Sequence, residues 1–301
     1  MGSRTSGFFS TPSRQNMEIS VIIISYNTSE LLNDCLRSVF QNTVGLSFEV
    51  IVVDNNSKDD SCQMVETLYP QVKLIRSCTN LGFGKANNIG ISQAKGKYVF
   101  LLNSDCVLIN NAIKILHDLM ERVGHCAVSG GNLFNREMKP VHAYGCFNSP
   151  MRYFLRITGL RYLLKNTGNE EKRDRLTEVE QIVGADLMIR KSVLDEVGVF
   201  DERFFLYCEE SELQFRIRKK GYGIVYTPEA KIFHLEGAST KKNKKLRRYT
   251  IIKSEYLFLS ICYPEVPKTI LRLLCTVPNL YRCFHSPCHV IKALKFVWST
   301  R

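Results

Sequence analysis

From Glu18 onward the chain alternates between two hydrophobic periods. Short continuous apolar runs, the pattern of strands covered on both faces, give way to stripes of period 3.6, the pattern of helices packed on one side. Ile19–Ile24 is the first run. Behind it Asn27-Thr28-Ser29-Glu30 has the form of a capping box, and Leu31, Leu32, Cys35, Leu36, Val39 and Phe40 draw a helical stripe. Glu49–Val53 predicts a second strand ending in the turn formers Asp54-Asn55-Asn56-Ser57. A helix near Ser61–Leu68, a strand Val72–Ile75, a helix near Lys85–Ala94 and a strand Tyr98–Leu102 follow. Further on, Val179–Arg190 predicts a strand, Glu209–Lys220 an amphipathic helix, and Gly223–Tyr226 and Ala230–Phe233 two short strands. The expected fold is α/β, a Rossmann-like, mostly parallel sheet flanked by helices. Polar residues gather at its strand C-terminal ends, the edge where open α/β sheets bind ligands.

Charge divides the chain unevenly. Residues 1–240 carry 28 Lys+Arg against 27 Asp+Glu, and residues 241–301 carry 13 against 2, so the tail holds almost all of the net charge of +12. The composition shift at Ser239-Thr240-Lys241-Lys242 predicts a boundary between a domain of residues 17–240 and a basic helical tail of residues 241–301. Residues 1–16 read as a disordered leader or a cloning remnant, with Met17 as a native start, because Phe8-Phe9 is too short an apolar core for a signal peptide. The 11 cysteines form no CxxC pair and fit a reduced cytoplasmic compartment. With no run of 18 uncharged apolar residues, a membrane-spanning helix is not expected.

Several positions carry candidate chemistry, each with a plainer reading beside it. Asp105, just past the strand Tyr98–Leu102, could hold a divalent ion against a diphosphate or cap a helix starting near Asn110. Asp54 could accept hydrogen bonds from a nucleoside or close an Asx turn. The glycines of Asn80-Leu81-Gly82-Phe83-Gly84 precede a helix whose free N–H groups could face an anion, or they simply punctuate a turn. Glu209, Glu210 and Glu212 crowd the start of a helix beside an apolar wall, where one could be a general base; alternatively they oppose the helix dipole, with Glu212 pairing with Arg216. His234 ends a strand and is either a metal ligand or structural.

The order of these segments resembles family-2 glycosyltransferases of the GT-A fold, in particular the rhamnosyltransferase-like branch of bacterial surface polysaccharide (O-antigen or capsule) biosynthesis. The matching stretches include Val21–Asn27, Val52–Ser57, Asn80–Gly90, Leu101–Asp105, Gly184–Arg190, Val197–Phe205, Glu209–Leu213 and His234. The resemblance implies an inverting transfer of a sugar, with rhamnose favoured, from a nucleoside-diphosphate donor (a dTDP- or UDP-sugar), and a Mg²⁺ or Mn²⁺ cofactor. It places Ser25, Tyr26, Asn27, Asp54, Asn55, Asn87, Asn103 and Ser104 around the nucleotide and makes Asp105 the last residue of a DXD-type motif. His234 becomes a second metal contact and Glu210 the catalytic base. Gly184, Ala185, Asp186 and Glu209 would line the donor-sugar and acceptor pocket. The chain departs from the family in two places: Asn103 stands at the first acid of the DXD motif, and Glu210 where an aspartate is usual.

The tail adds a candidate partner. Lys241, Lys242, Lys244, Lys245, Arg247 and Arg248 fall within eight residues. Ile270, Leu273, Leu274, Val277, Tyr281 and Phe284 fall on one helical face with Lys268, Arg272, Asn279 and Arg282 away from it, and Pro278 should kink or split that helix. Val290, Ile291, Leu294, Val297 and Trp298 repeat the pattern, with Lys292 and Lys295 opposite. This composition suits an interfacial helix on an anionic membrane, with a lipid-linked glycan as acceptor and the protein peripheral to the inner face; the alternative is that the apolar face docks on the domain. No nucleic acid is expected, since no recognised module accompanies the charge. A nucleotidyltransferase would want a Gly-rich, basic loop where Ser25-Tyr26-Asn27 stands, and a non-catalytic nucleotide-binding scaffold would tolerate loss of Glu210 and Asp105.

Overall fold

The computed structural model describes residues 17–158, 160, 173–235, 244–283 and 287–299; the leader, the boundary at 239–242 and Phe284 lie outside them. Strand β1 (Ile19–Ser25), helix α1 (Ser29–Asn42), β2 (Phe48–Asp54), α2 (Ser61–Leu68), β3 (Lys73–Arg76), α3 (Phe83–Gln93) and β4 (Tyr98–Asn103) form the expected parallel units. After β5 (Cys106–Leu108), α4 (Ala112–Arg122) and β6 (Cys126–Phe134) come β7 (Tyr144–Gly145), α5 (Pro150–Ile157), β8 (Thr177–Glu178), β9 (Gln181–Ile182) and β10 (Asp186–Arg190). The chain continues through α6 (Lys191–Val197), α7 (Glu209–Lys219), β11 (Gly223–His234), α8 (Lys244–Cys262), α9 (Lys268–Cys283) and α10 (Pro287–Ser299). The main sheet runs β3-β2-β1-β4-β10-β6-β11-β5, with β8 beside β11. β10 is antiparallel to β4 and β6, and β5 to β11, so the C-terminal ends of β1, β2, β4 and β11 meet the start of β10 along one edge.

Three local expectations fail for identifiable reasons. The strand expected over Val179–Arg190 is interrupted, because the chain changes sheets there: β9 pairs with β7, whereas β10 enters the main sheet beside β4. A tight turn at Val183–Ala185, closed by Ala185 N–H donating to Val183 O at 2.8 Å, makes the switch. Gly223–Tyr226 and Ala230–Phe233 are one strand, whose register against β6 slips between Tyr226 and Lys231, around Pro228. The capping box at α1 does not form. Thr28 Oγ1 instead donates to Ser104 Oγ at 3.1 Å, and the Ser29 N–H is taken by Asp59.

A second core, joined to the first through α7, is built by the tail. Tyr256, Phe258, Leu259, Leu271, Leu274, Cys275, Val290, Ala293 and Val297 are buried together with Phe147, Tyr153 and Phe204 of the preceding domain. The stripe drawn on α9 therefore divides: Leu274 is buried, but Ile270, Leu273 and Val277 are exposed, and Asn279, expected on the polar side, is 2% exposed with its Nδ2 donating to Cys275 O. Helix α9 also runs unbroken through Pro278; the Thr276 and Asn279 side chains supply donors to carbonyls of the preceding turn.

Candidate active site

The sheet edge assembles the site. Asp105 is not a helix cap, since β5 intervenes before α4, which begins at Ala112. It follows β4, and its carbonyl accepts the Leu235 N–H at 3.0 Å, so the end of β11 is tied to it. This brings His234 Nε2 within 3.6 Å of Asp105 Oδ1, longer than a direct hydrogen bond. Two donors on one small divalent ion stand about 3.0–3.5 Å apart, so this spacing is slightly wider than that of neighbouring ligands. The pair supplies one hard oxygen and one imidazole nitrogen and leaves the remaining positions of an ion to others. Among the described residues, His234 Nδ1 is buried without a hydrogen-bond partner. Cys106 lies within reach of both. Burial holds its thiol well above the ordinary range and its Sγ meets Ala185 O at 3.6 Å, so it is a poor ligand for a hard cation.

On the same edge, two loops are stitched together. Asn27, in the left-handed region at φ 54°, receives Lys58 N–H on its side chain at 2.7 Å and donates its own N–H to Ser57 Oγ at 2.9 Å. Tyr26 is held exposed at the rim. Asp54 closes its turn, with Oδ2 accepting Ser57 N–H at 3.0 Å, while its Oδ1 is buried with no hydrogen-bond partner among the described residues. Ser25 Oγ and Thr28 Oγ1 lie 3.2 Å apart, and Thr28 continues to Ser104, so the hydroxyls link the ends of β1 and β4. Asn103 donates its N–H to Ala185 O at 3.0 Å. Asn55 and Asn87 take a different part from the one expected. Asn55 spends its amide on Asn80, Leu81 and Gly82, and Asn87 Nδ2 donates to Phe83 O, so both brace the 80–87 segment.

That segment shows why the glycines are there. Gly82 has φ 80°, and a Cβ on it would sit 2.1 Å from Phe205 O. The Phe83 N–H donates to the same carbonyl, and Gly84 packs on Phe200 and Glu209. The start of α3 is thus covered by the 200–209 chain and is not an open anion site.

The acids of α7 separate by environment. Glu212 is fully engaged by Arg216 at 2.7 and 2.9 Å, and Arg216 also binds the Val199 carbonyl at 2.7 Å, so Glu212 is no candidate base. Glu209 is 2% exposed with Oε2 unpartnered; burial first, and the charge of Glu210 second, push its carboxyl well above the usual range. Glu210 is half-buried, and burial raises its carboxyl too. It lies against Gly184, where a Cβ would stand 3.3 Å from Glu210 Cγ. Gln214 fastens this arrangement by exchanging two hydrogen bonds with Ile182 at 2.7 and 2.8 Å. Glu210 and Asp105 therefore flank the same turn, one touching Gly184 and the other following Asn103, which is bonded to Ala185. Asp186 does not face a pocket: it is fully buried, with Oδ2 accepting Gly131 N–H at 2.6 Å, and burial holds its carboxyl well above the ordinary range.

One feature of the site leaves no mark in the sequence. Tyr207 and Cys208, immediately before Glu209, both occupy the left-handed region, at φ 70° and 67°. Non-glycine residues pay on the order of 1 kcal/mol each for this, so the surrounding contacts must impose it.

Comparison with known proteins agrees with this architecture. An N-acetylglucosaminyl-diphospho-decaprenol L-rhamnosyltransferase of Mycobacterium tuberculosis is 27% identical over 258 residues, covering 80% of this chain and 84% of that one. Two solved structures share the fold. The mannosyltransferase PcManGT from Pyrobaculum calidifontis, in complex with GDP-Man and Mn²⁺, matches with a TM-score of 0.56 at 16% identity over 94% of this chain and 76% of its own. S. aureus TarS matches with a TM-score of 0.54 at 18% identity over 89% of this chain, which spans only 44% of that longer protein. The nucleotidyltransferase and scaffold readings give way to a glycosyltransferase. The family model described as glycosyl transferase family 2 matches residues 20–198, and the chain belongs to that family.

Proposed function

We propose that this enzyme transfers a sugar, with rhamnose favoured, from a dTDP- or UDP-linked donor to a hydroxyl of a lipid-linked glycan, inverting the anomeric centre. The observation that carries the reading is the placement of Asp105–His234 and Glu210 on either side of the turn at Val183–Ala185. A Mg²⁺ or Mn²⁺ ion held by Asp105 and His234 supplies, when bound, positive charge to a leaving diphosphate. Glu210 faces the incoming hydroxyl and takes its proton; burial raises the proton affinity of its carboxyl, which favours that transfer. Asp54 Oδ1 offers the nucleoside a free acceptor, with Tyr26 at the rim, and Ser25, Asn27 and Ser104 hold that edge in place. The named activity of the mycobacterial relative supports a rhamnosyl donor and a lipid-diphosphate acceptor.

The tail supports work at a membrane surface. No helix among the described residues is long and apolar enough to cross a membrane. Its exposed apolar residues Ile270, Leu273, Val277, Ile291 and Trp298 nevertheless lie on helices carrying a large cationic excess, the combination that binds anionic lipid peripherally. We place the enzyme at the inner face of the cell membrane and assign it no nucleic-acid partner. The test is a donor screen: thermal shift and hydrolysis with dTDP-, UDP- and GDP-sugars, with and without Mn²⁺. A dTDP- or UDP-sugar should stabilise the protein in a Mn²⁺-dependent way; no stabilisation by any of them would reject the reading.

A further inference from the structure

We propose that helix α8 is a positioning element for the catalytic base, with Ser254 and Arg247 holding the turn that presents Glu210. The proposal rests on the assignment of Glu210 as base, and it gives the tail a part in the chemistry itself.

The turn before α7 is fastened on two sides. From the sheet domain, the Phe83 N–H donates to Phe205 O at 2.9 Å. From the tail, Ser254 Oγ donates to Leu206 O at 2.8 Å, across 48 residues of sequence. The next residue, Tyr207, carries Arg247 of the same helix over its ring at 5.9 Å. Tyr207 and Cys208 then take their left-handed conformations, and Glu209 and Glu210 follow. Two successive carbonyls are thus committed to opposite partners, which fixes the chain direction just where its conformation is unfavourable.

Ser254 also behaves unlike its neighbours. Helical hydroxyls usually bond back to a carbonyl of the preceding turn, as Ser260 does to Tyr256 and Thr276 does to Arg272. Ser254 is 3% exposed and reaches outward to a strained loop instead. Burial in an apolar interface alone would be served as well by alanine, so the hydroxyl is explained by what it holds. Phe204, buried in the same core as Tyr256 and Phe258, seats the start of the same turn.

The experiment uses the full chain and whichever of dTDP-rhamnose, UDP-glucose, UDP-N-acetylglucosamine and GDP-mannose it hydrolyses fastest with Mn²⁺. Ser254→Ala should lower kcat roughly fivefold with KM for the nucleotide sugar unchanged, because the donor edge on β1, β2 and β4 is not part of the clamp. Ser254→Thr, which keeps the Oγ, should recover most of the rate. Arg247→Ala, at an exposed position that cannot unfold the protein, should lower kcat about twofold in the same manner. Wild-type kcat in Ser254→Ala would overturn the proposal, as would equal losses in the Ala and Thr variants of Ser254. Glu210→Gln run alongside separates the two readings: if it stays active the base assignment fails, and if it is inactive while Ser254→Ala is normal the clamp alone fails.

Discussion

The sheet core and the helical core meet at α7 but close differently. Around β1, β2 and β4 every strand is covered on both faces, and residues such as Ile22, Val52 and Leu101 are sealed from solvent. The core of α8, α9 and α10 seals Leu271, Leu274 and Val297 but leaves Ile270, Leu273, Val277 and Trp298 outside. A parallel sheet must bury both faces to be stable, whereas a helix has to bury only one stripe. The first region is therefore a frame for chemistry at its edge, and the second is a wedge with one side against the frame and the other free to meet a surface.

The most severe test of this contrast removes the acids at the frame's edge. Glu210→Gln should reduce turnover about 10²–10⁴-fold, the usual worth of a general base. Asp105→Asn should do comparable damage and abolish any stabilisation by Mn²⁺ with nucleotide. Neither change should lower the unfolding temperature, because among the described residues Asp105 makes no side-chain bond to the fold closer than His234 and Glu210 none but its own helix contacts. If either variant unfolded while the wild type bound no nucleotide, the edge would be structural.

How much of this was readable beforehand depended on which forces act locally. The units from Ile19 to Asn103 announce themselves because apolar runs and turn residues such as Asp54-Asn55 act over a few positions. Asp105, His234 and Glu210 stand out as candidates through the order of their segments along the chain, not through individual signals. The bracing bonds of Asn55 and Asn87 are not legible in the sequence, because an amide suits a ligand and a loop carbonyl equally. The interruption at Val183–Ala185 depends on β9 and β10 joining different sheets, a tertiary choice. The same holds for the left-handed Tyr207-Cys208, which no residue type betrays. On α9, periodicity marked an apolar side but could not say which part of it the rest of the protein would cover.

A smaller effect tests how tightly the frame is sealed. Asp186 is buried in the sheet and burial raises its carboxyl. The folded state therefore holds that proton after the unfolded chain has released it. The stability this group contributes is complete below the ordinary carboxylate range and is lost as pH rises from there toward the folded value. Asp186→Asn, which cannot lose a proton, should thus gain on the wild type in urea unfolding as pH rises above the ordinary carboxylate range. A difference independent of pH would mean that water reaches this carboxyl and that the frame is less closed than its geometry indicates.

The smallest change in folding should come from the free side of the wedge. Leu273 is 48% exposed, although Leu271 and Leu274 beside it on the same helix are buried. Truncating a buried leucine costs about 2–5 kcal/mol, but Leu273→Ser removes contacts mainly with solvent and should shift unfolding by no more than about 0.5 kcal/mol. Its consequence should be visible elsewhere. If the exposed row enters the boundary of an anionic bilayer, losing one half-exposed leucine forfeits about 1 kcal/mol of apolar burial, roughly a fivefold drop in co-sedimentation with phosphatidylglycerol vesicles. Raising the salt concentration should weaken wild type and variant alike, since it screens the lysines and arginines and not the leucine. Unchanged vesicle binding with a large loss of stability would reverse the assignment, making this row part of an interior whose covering partner is another protein.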